Sequence, residues 1–350
     1  MISYISSVLL AIGASAAVLG KISYVALIMQ LIINLFIFKV GKKKLFILTL
    51  IFFYFLILHA FHFTFDSYKQ LDISIVNIVI QIFVVATIGV NVRGVLIVRR
   101  SLLIQLLFSI LVSIYGVVFN DYSMFVNASH TKGFASFFIP TGIYSTPQAF
   151  ASVSLVVFLL YRAKIIKLIS FLTMVFSINR TIMLIFLTNS FLKYYRLIIT
   201  LLVIALPFLL GYLVESNSVI NLRTILSRLY LFEGAASQME LGNFRQIMFG
   251  TLSTIDFYLP MYGVTKNYIE SSILFIFKYF GVLGLFAYIF YGLLLSAISF
   301  RNKQVSLLIV FFLYFFVAQL MTHEFLVSSY YQIVYIFTAL ILLRRSSINV

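Results

Sequence analysis

Long apolar runs, separated by short polar or basic segments, follow one another along the whole chain. A membrane-spanning helix needs about 20 mostly apolar residues. Ten runs are therefore predicted to span a membrane, at residues 4–20, 22–38, 45–62, 73–91, 101–119, 148–161, 197–214, 272–299, 305–321 and 327–343. The pattern predicts an all-α polytopic membrane protein, with residues 1–350 forming a single integral membrane domain.

The stretch FLTMVFSINRTIMLIFLTN (171–189) does not fit one ordinary span, because Arg180 lies at its middle. A guanidinium at the centre of a bilayer costs about 2.5–3.5 kcal/mol on insertion scales. Two short helices, 165–178 and 181–194, would instead enter the membrane and return. Helices of about 11–14 residues rise about 17–21 Å, which is too short to cross a hydrocarbon core near 30 Å. We therefore expect their junction in a protein-walled cavity that opens outward.

The basic clusters support this doubling back. They lie at residues 39–44, 91–100, 162–167, 192–196, 301–303 and 344–345. The positive-inside rule assigns them to the cytoplasm, and all of them fall on one side only if the chain returns near residue 179. This topology predicts about twelve transmembrane helices, both termini in the cytoplasm, and residues 215–271 as a large external loop between spans 9 and 10. All nine acidic residues and all four histidines then lie at or near the outer face.

Composition narrows the class of partner. The chain of 350 residues is 63% hydrophobic and 10% charged, with a mean hydropathy of +1.13 and a net charge of +16. The positive charge is grouped on one membrane face, so it indicates the lipid bilayer as a partner and not nucleic acid. There is no cysteine, which excludes disulfides and thiol chemistry. His59 and His62 share a helical face, but no third ligand is evident, so we predict neither a metal nor another cofactor.

The returning helix is the strongest candidate for an anion site. Ser177 or Asn179 can cap its start, where free backbone N–H groups and the positive end of the helix dipole favour an anion. Arg180 adds a forked charge suited to phosphate, although it could instead be a structural arginine that binds loop carbonyls. Arg245 lies on a second predicted helix, in the external loop, where an arginine is also an ordinary solvated residue.

Other candidates lie around this loop. Three tyrosines can stack on sugar rings: Tyr258, Tyr262 and Tyr268. Glu270 stands at a predicted helix start, where a carboxylate also simply complements the dipole. His323 lies in a short external turn. These residues indicate an outward-facing basic cavity for an anion, and they leave both an enzyme and a transporter open.

Several segments together resemble the O-antigen polymerase and O-antigen ligase superfamily. They are SINRT in a broken helix, NFRQIMFG in the external loop, and ESSILFIFKYFGVLG at the start of the next span. Glu270 and Ser271, followed by nine residues and then GVLG (281–284), are similar to the ligase pattern, except that the ligase has His in place of Glu270. We take this difference as favouring the polymerase branch.

The resemblance implies a C-type glycosyltransferase-like helical fold without metal. The implied function is polymerisation of undecaprenyl-diphosphate-linked repeat units into O-antigen or capsular polysaccharide, at the external face of the bacterial cytoplasmic (inner) membrane. Arg180, Arg245 and Asn179 would bind the diphosphate, and Glu270 or His323 would be the general base. A chain-length regulator protein is a further possible partner. The alternatives are a flippase or exporter of lipid-linked oligosaccharide, and the ligase itself.

Overall fold

A computed structural model describes most of the chain, and it is mostly helical. The described residues are 2–37, 41, 46, 48–55, 57, 73–127, 138–192, 233, 244–250, 257–259, 264–266, 269, 271–322 and 324–343. The helices are α1 (Ile2–Ala14), α2 (Ala16–Leu19), α3 (Lys21–Ile37), α4 (Ile73–Ile88), α5 (Val92–Phe119), α6 (Pro147–Leu160), α7 (Lys164–Phe176), α8 (Arg180–Leu192), α9 (Phe244–Phe249), α10 (Ser272–Arg301), α11 (Val305–Phe312, the π-helical segment Leu313–Ala318 and Gln319–Met321) and α12 (Ser328–Leu342).

Two of these helices, α5 and α10, are long and apolar enough to cross a membrane. Helix α10 is kinked at Gly281, where φ is 64° and ψ is −164°, so that it consists of two helical segments. The other described apolar runs also form helices, most of them shorter than a full span. The predicted span at 197–214 lies outside the described residues. The mostly helical character is therefore observed, and the number of twelve spans stays a prediction.

Helix α5 is longer at its start than predicted. The sequence pattern treats the basic residues 91–100 as a connection, but they form the first turns of the helix. The Asn91 side chain accepts a hydrogen bond from the Gly94 N–H at 2.7 Å and so caps the helix before the basic residues. No proline lies in the helix, which continues to Phe119, and the left-handed Asn120 ends it.

A buried polar network lies at the centre of the helix packing. Helix α12 contacts α1, α4, α5, α6 and α10. The carbonyl oxygen of the Gln332 side chain, in α12, accepts hydrogen bonds from the Ser101 hydroxyl at 2.9 Å and from the Gln105 amide at 2.8 Å. The Gln332 amide donates to the Leu10 carbonyl at 3.2 Å. Helices α1, α5 and α12 are thus held together by satisfied buried polar groups.

Short strands occur between α5 and α6 and within residues 215–271, which are predicted to form an external loop. Strand β1 (Phe125–Asn127) pairs antiparallel with β2 (Phe138–Pro140), and β3 (Phe257–Leu259) pairs with β4 (Val264–Lys266). Each strand has three residues, so backbone pairing orders short parts of these connections and does not build a core sheet.

Candidate functional site

The helical region around residue 180 is broken, as predicted. Three residues, Ser177, Ile178 and Asn179, separate α7 from α8, and Ile178 has a left-handed φ of +46°. The Ser177 hydroxyl donates to the Thr173 carbonyl at 2.7 Å, so it belongs to the end of α7. The Asn179 side chain accepts from the Ile182 N–H at 3.0 Å. Of the two predicted caps, Asn179 is therefore the one that caps the returning helix.

Ring contacts show that the chain doubles back at this break. The ring centroids of Phe171 in α7 and Phe186 in α8 are 5.5 Å apart. In one straight helix, fifteen positions would separate them by about 22 Å. Phe186 also contacts Phe158 of α6, with centroids 5.1 Å apart. The region is therefore a helical hairpin packed on α6, and not a single straight helix.

Arg180 is the first residue of α8, next to the cap. Ser177 and Asn179 are buried, at 0% and 4% exposure, whereas the Arg180 side chain is exposed. The junction is thus buried at the cap and not at the guanidinium, and its position in a cavity that opens outward stays a prediction. The reason is that Arg180 lies at a helix end, where a long side chain extends away from the packed turn. Its charge adds to the positive end of the α8 dipole.

Arg245 lies on the short helix α9, where it is half-buried. The residue that follows this helix, Gly250, approaches the backbone of α10. A Cβ on Gly250 would lie 2.6 Å from the Lys278 carbonyl oxygen, and one on Gly281 would overlap the carbonyl of Met248. Both glycines have a positive φ, of 78° and 64°. The two segments NFRQIMFG and FGVLG therefore contact each other at a junction that only glycine fits.

A buried lysine lies at the same junction. Lys278 of α10 is 1% exposed, and its ammonium nitrogen is 3.8 Å from the centroid of the Tyr279 ring. Ionisable residues inside an apolar helix are costly and commonly functional. Lys278 thus adds a cation at the junction of α9 and α10.

A buried carboxylate occupies the turn between α11 and α12. Glu324 is 1% exposed, and its two oxygens accept hydrogen bonds from the Ser152 hydroxyl and the Tyr314 hydroxyl, each at 2.7 Å. Burial raises the pKa of Glu324 from 4.5 to about 7, against the opposing effect of these hydrogen bonds. Tyr314 belongs to the π-helical segment of α11, a geometry that is frequent at functional sites.

The Glu324 turn is attached to the start of α10. The Ser272 hydroxyl donates to the Thr322 carbonyl at 3.0 Å and accepts from the Phe325 N–H at 3.1 Å. Ser271 caps α10 by accepting from the Leu274 N–H at 3.4 Å. The segments next to the two predicted general bases, Glu270 and His323, therefore lie side by side.

The Glu324 turn and the helix break lie at the same end of α6. Ser152 of α6 binds Glu324, and Ser154 accepts a hydrogen bond from Thr173 of α7 at 3.0 Å. Two residues along a helix correspond to a rise of about 3 Å. Ser177 is one turn beyond Thr173. The buried carboxylate and the capped break thus lie on two sides of α6, in its N-terminal half.

The remaining predicted residues divide between exposed and undescribed positions. Tyr258 lies in β3, opposite Thr265, and is 60% exposed, and its predicted sugar-binding role stays a prediction. The other four, Tyr262, Tyr268, Glu270 and His323, lie outside the described residues. Their predicted roles stay predictions.

Two residues of this region were missed by the sequence reasoning. Lys278 is a single charge inside the apolar run 272–299, and the cost of such a charge in a membrane marks it as it marks Arg180. Glu324 follows His323 in what looks like an ordinary turn, and no local signal shows its burial. No protein-family model and no curated protein matches the chain.

Proposed function

We propose that the protein polymerises oligosaccharide repeat units carried on undecaprenyl diphosphate, at the external face of the bacterial cytoplasmic membrane. The growing chain is the donor and a single repeat unit is the acceptor. The observation that carries the proposal is the broken hairpin, in which Asn179 caps α8 and Arg180 adds a forked charge to its positive end. A capped helix start with an arginine is suited to binding a phosphate group.

The reaction needs cations where the leaving group departs. The bond between the anomeric carbon and the diphosphate oxygen breaks, while the acceptor hydroxyl forms the new glycosidic bond and loses its proton. Negative charge grows on the departing diphosphate, and fixed positive groups lower the energy of that state. Arg180 and Arg245 supply these charges in the proposal. Lys278 is a third cation beside the segment that carries Arg245.

The proton acceptor is assigned to Glu270 or His323. The support for this is that Ser271, next to the first, and Thr322, next to the second, lie on the two segments joined through Ser272. Glu324 is assigned a positioning role, because it fixes this turn to α6 from a buried location. A single displacement would invert the configuration at the anomeric carbon.

Reconstitution of the full chain in lipid vesicles tests the proposal. With undecaprenyl-diphosphate-linked repeat units, the wild-type protein should produce a ladder of lengthening products. Arg180→Ala should reduce the rate by roughly 100-fold or more, as expected for removal of a group that stabilises developing negative charge. Arg180→Lys should also be strongly impaired, because it loses the forked contact with phosphate. The matched control is Arg301→Ala, an exposed arginine at the other end of α10.

The same assay separates the alternatives. A flippase or exporter would move the labelled lipid-linked unit across the vesicle membrane without lengthening it. A ligase would transfer preformed glycan to a lipid A core acceptor without forming a ladder. An Arg180→Ala protein with full polymerising activity would remove the diphosphate site from the proposal.

A further inference from the structure

A second group of cations lies at the start of α5, away from the α7–α8 hairpin turn. Leu96, Arg99, Arg100 and Tyr161 line a cleft of about 210 Å³. The Arg99 guanidinium carbon is 4.3 Å from the centroid of the Tyr161 ring, and the Arg100 guanidinium carbon is 4.3 Å from that of Tyr4. Both arginines are half-buried. Two guanidinium groups, each stacked on a tyrosine ring, thus line one cleft between α5 and the end of α6.

Stacking prepares these arginines to bind an anion. A guanidinium packs its flat face on an aromatic ring, while its N–H donors point along the plane and match the oxygens of a phosphate. The Tyr161 hydroxyl donates to the Arg99 carbonyl at 3.2 Å, which fixes the ring against α5. The cations are therefore held in place before a ligand arrives, so that less conformational entropy is lost on binding.

The surrounding sequence adds positive charge and no carboxylate. Residues 1–65, the helix α5 and residues 147–192 contain no aspartate or glutamate. Arg93 lies near the start of α5, and Arg162, Lys164 and Lys167 follow Tyr161. Such a grouping of basic residues attracts anions.

The length of α5 places the cleft at the level of lipid headgroups. The 28 residues of this helix rise about 42 Å, whereas the hydrocarbon core is about 30 Å thick. The last 19 residues, 101–119, contain no charge and account for about 28 Å of this length. Arg99 and Arg100 therefore lie where that apolar part ends, at the depth of the phosphate groups.

We propose that this cleft binds the phosphodiester headgroup of an anionic phospholipid, with Arg99 and Arg100 contacting the phosphate and Tyr161 forming the floor. Basic pockets between helices at a membrane face bind anionic headgroups in this way. The proposal does not depend on the polymerase assignment. It requires only that α5 spans the membrane.

Lipid titration of the purified full chain in a neutral detergent tests the proposal. Dioleoyl phosphatidylglycerol should raise the melting temperature in a saturable manner, and dioleoyl phosphatidylcholine should not. In Arg99→Gln/Arg100→Gln the apparent affinity should fall on the order of 30-fold, as expected for the loss of two cations at a membrane surface. The control Arg301→Gln should keep the wild-type response. An undiminished phosphatidylglycerol response in the double variant would overturn the site.

Two further measurements test whether the ligand is a phospholipid and whether the protein selects an anionic one. Inorganic phosphate at millimolar concentration should give no comparable shift, and an equal shift would reassign the cleft to a soluble anion. Native mass spectrometry of the wild-type protein after delipidation should show retention of phosphatidylglycerol in preference to phosphatidylcholine. Equal retention of both lipids would refute the proposal even if the double variant fails to fold.

Discussion

The carboxylate of Glu324 accepts a hydrogen bond from the Ser152 hydroxyl at 2.7 Å, across 172 positions of sequence. This contact joins the turn between the last two helices to the N-terminal half of α6. The second carboxylate oxygen binds Tyr314, so the same group also holds the π-helical segment of α11. Three parts of the fold thus depend on one buried ionisable side chain.

Glu324 should make the stability of the protein depend on pH. Its pKa is about 7 in the folded state and 4.5 in the unfolded state. Between these values the unfolded carboxyl is ionised while the folded one holds a proton, so folding takes up a proton. The free energy of unfolding should therefore fall by about 3 kcal/mol as pH rises from 4.5 to 7, and then level off.

Thermal unfolding in detergent from pH 4.5 to 8.5 measures this effect. In Glu324→Gln the stability should depend less on pH than in the wild type. The amide cannot ionise and can still accept a hydrogen bond from Ser152 or Tyr314. Glu233→Gln, at an exposed glutamate, is the matched control and should keep the wild-type slope. A Glu324→Gln protein with an unchanged slope would show that another group causes the pH dependence.

Gly281→Ala should destabilise the junction of α9 and α10 by about 2 kcal/mol or more. The added methyl group meets the carbonyl of Met248, a backbone atom that cannot rotate away, and φ is +64°. Gly20→Ala is the control for backbone strain. Gly20 has a φ of +52°, but no atom lies within 4 Å of the added Cβ, so this substitution adds strain without a steric clash. Melting temperatures should fall clearly more for Gly281→Ala. Equal losses would mean that the α9–α10 contact contributes little.

Substitutions at Asn179 should separate the cap from the proposed diphosphate site. Asn179→Ala removes the acceptor for the Ile182 N–H and should cost about 1 kcal/mol of stability. Asn179→Asp keeps an acceptor at that position, so stability should be retained. The added negative charge would oppose diphosphate binding, so polymerising activity should fall well below that of the wild type. Normal activity in a stable Asn179→Asp protein would argue against an anion at this helix start.

The apolar runs predicted the helices well, because burial in lipid or in a helical core requires continuous apolar stretches. The break near Asn179 was also predictable for two reasons. It places all basic clusters on one side of the membrane, and it avoids an arginine at the centre of a membrane span. The Glu324 site was not predictable, because its partners Ser152 and Tyr314 come from distant segments and hydroxyl groups are common in such helices. The prediction that residues 91–100 form a connection was wrong. It relied on their basic side chains and did not use Asn91 as a sign that a helix starts there.

Single-cysteine labelling tests the side of the membrane on which the proposed chemistry takes place. The chain has no cysteine, so each introduced thiol reports one position without background. Phe244→Cys at the start of α9, which is 75% exposed, and Ser123→Cys in the loop after α5 should react with a membrane-impermeant maleimide in intact spheroplasts. Arg301→Cys, at the end of α10, should react only after permeabilisation, because the positive-inside rule assigns it to the cytoplasm.

The labelling pattern bears directly on the proposed reaction. Helix α9 contacts α10 at Gly250 and Gly281, so the side on which Phe244 is labelled also locates this junction. External labelling of Phe244→Cys, together with internal labelling of Arg301→Cys, would place Arg245 and Lys278 towards the face at which the proposed joining of lipid-linked repeat units takes place. Labelling of Phe244→Cys only after permeabilisation would place α9 in the cytoplasm. The proposed external glycosyl transfer would then lose both its second arginine and its sugar-binding loop.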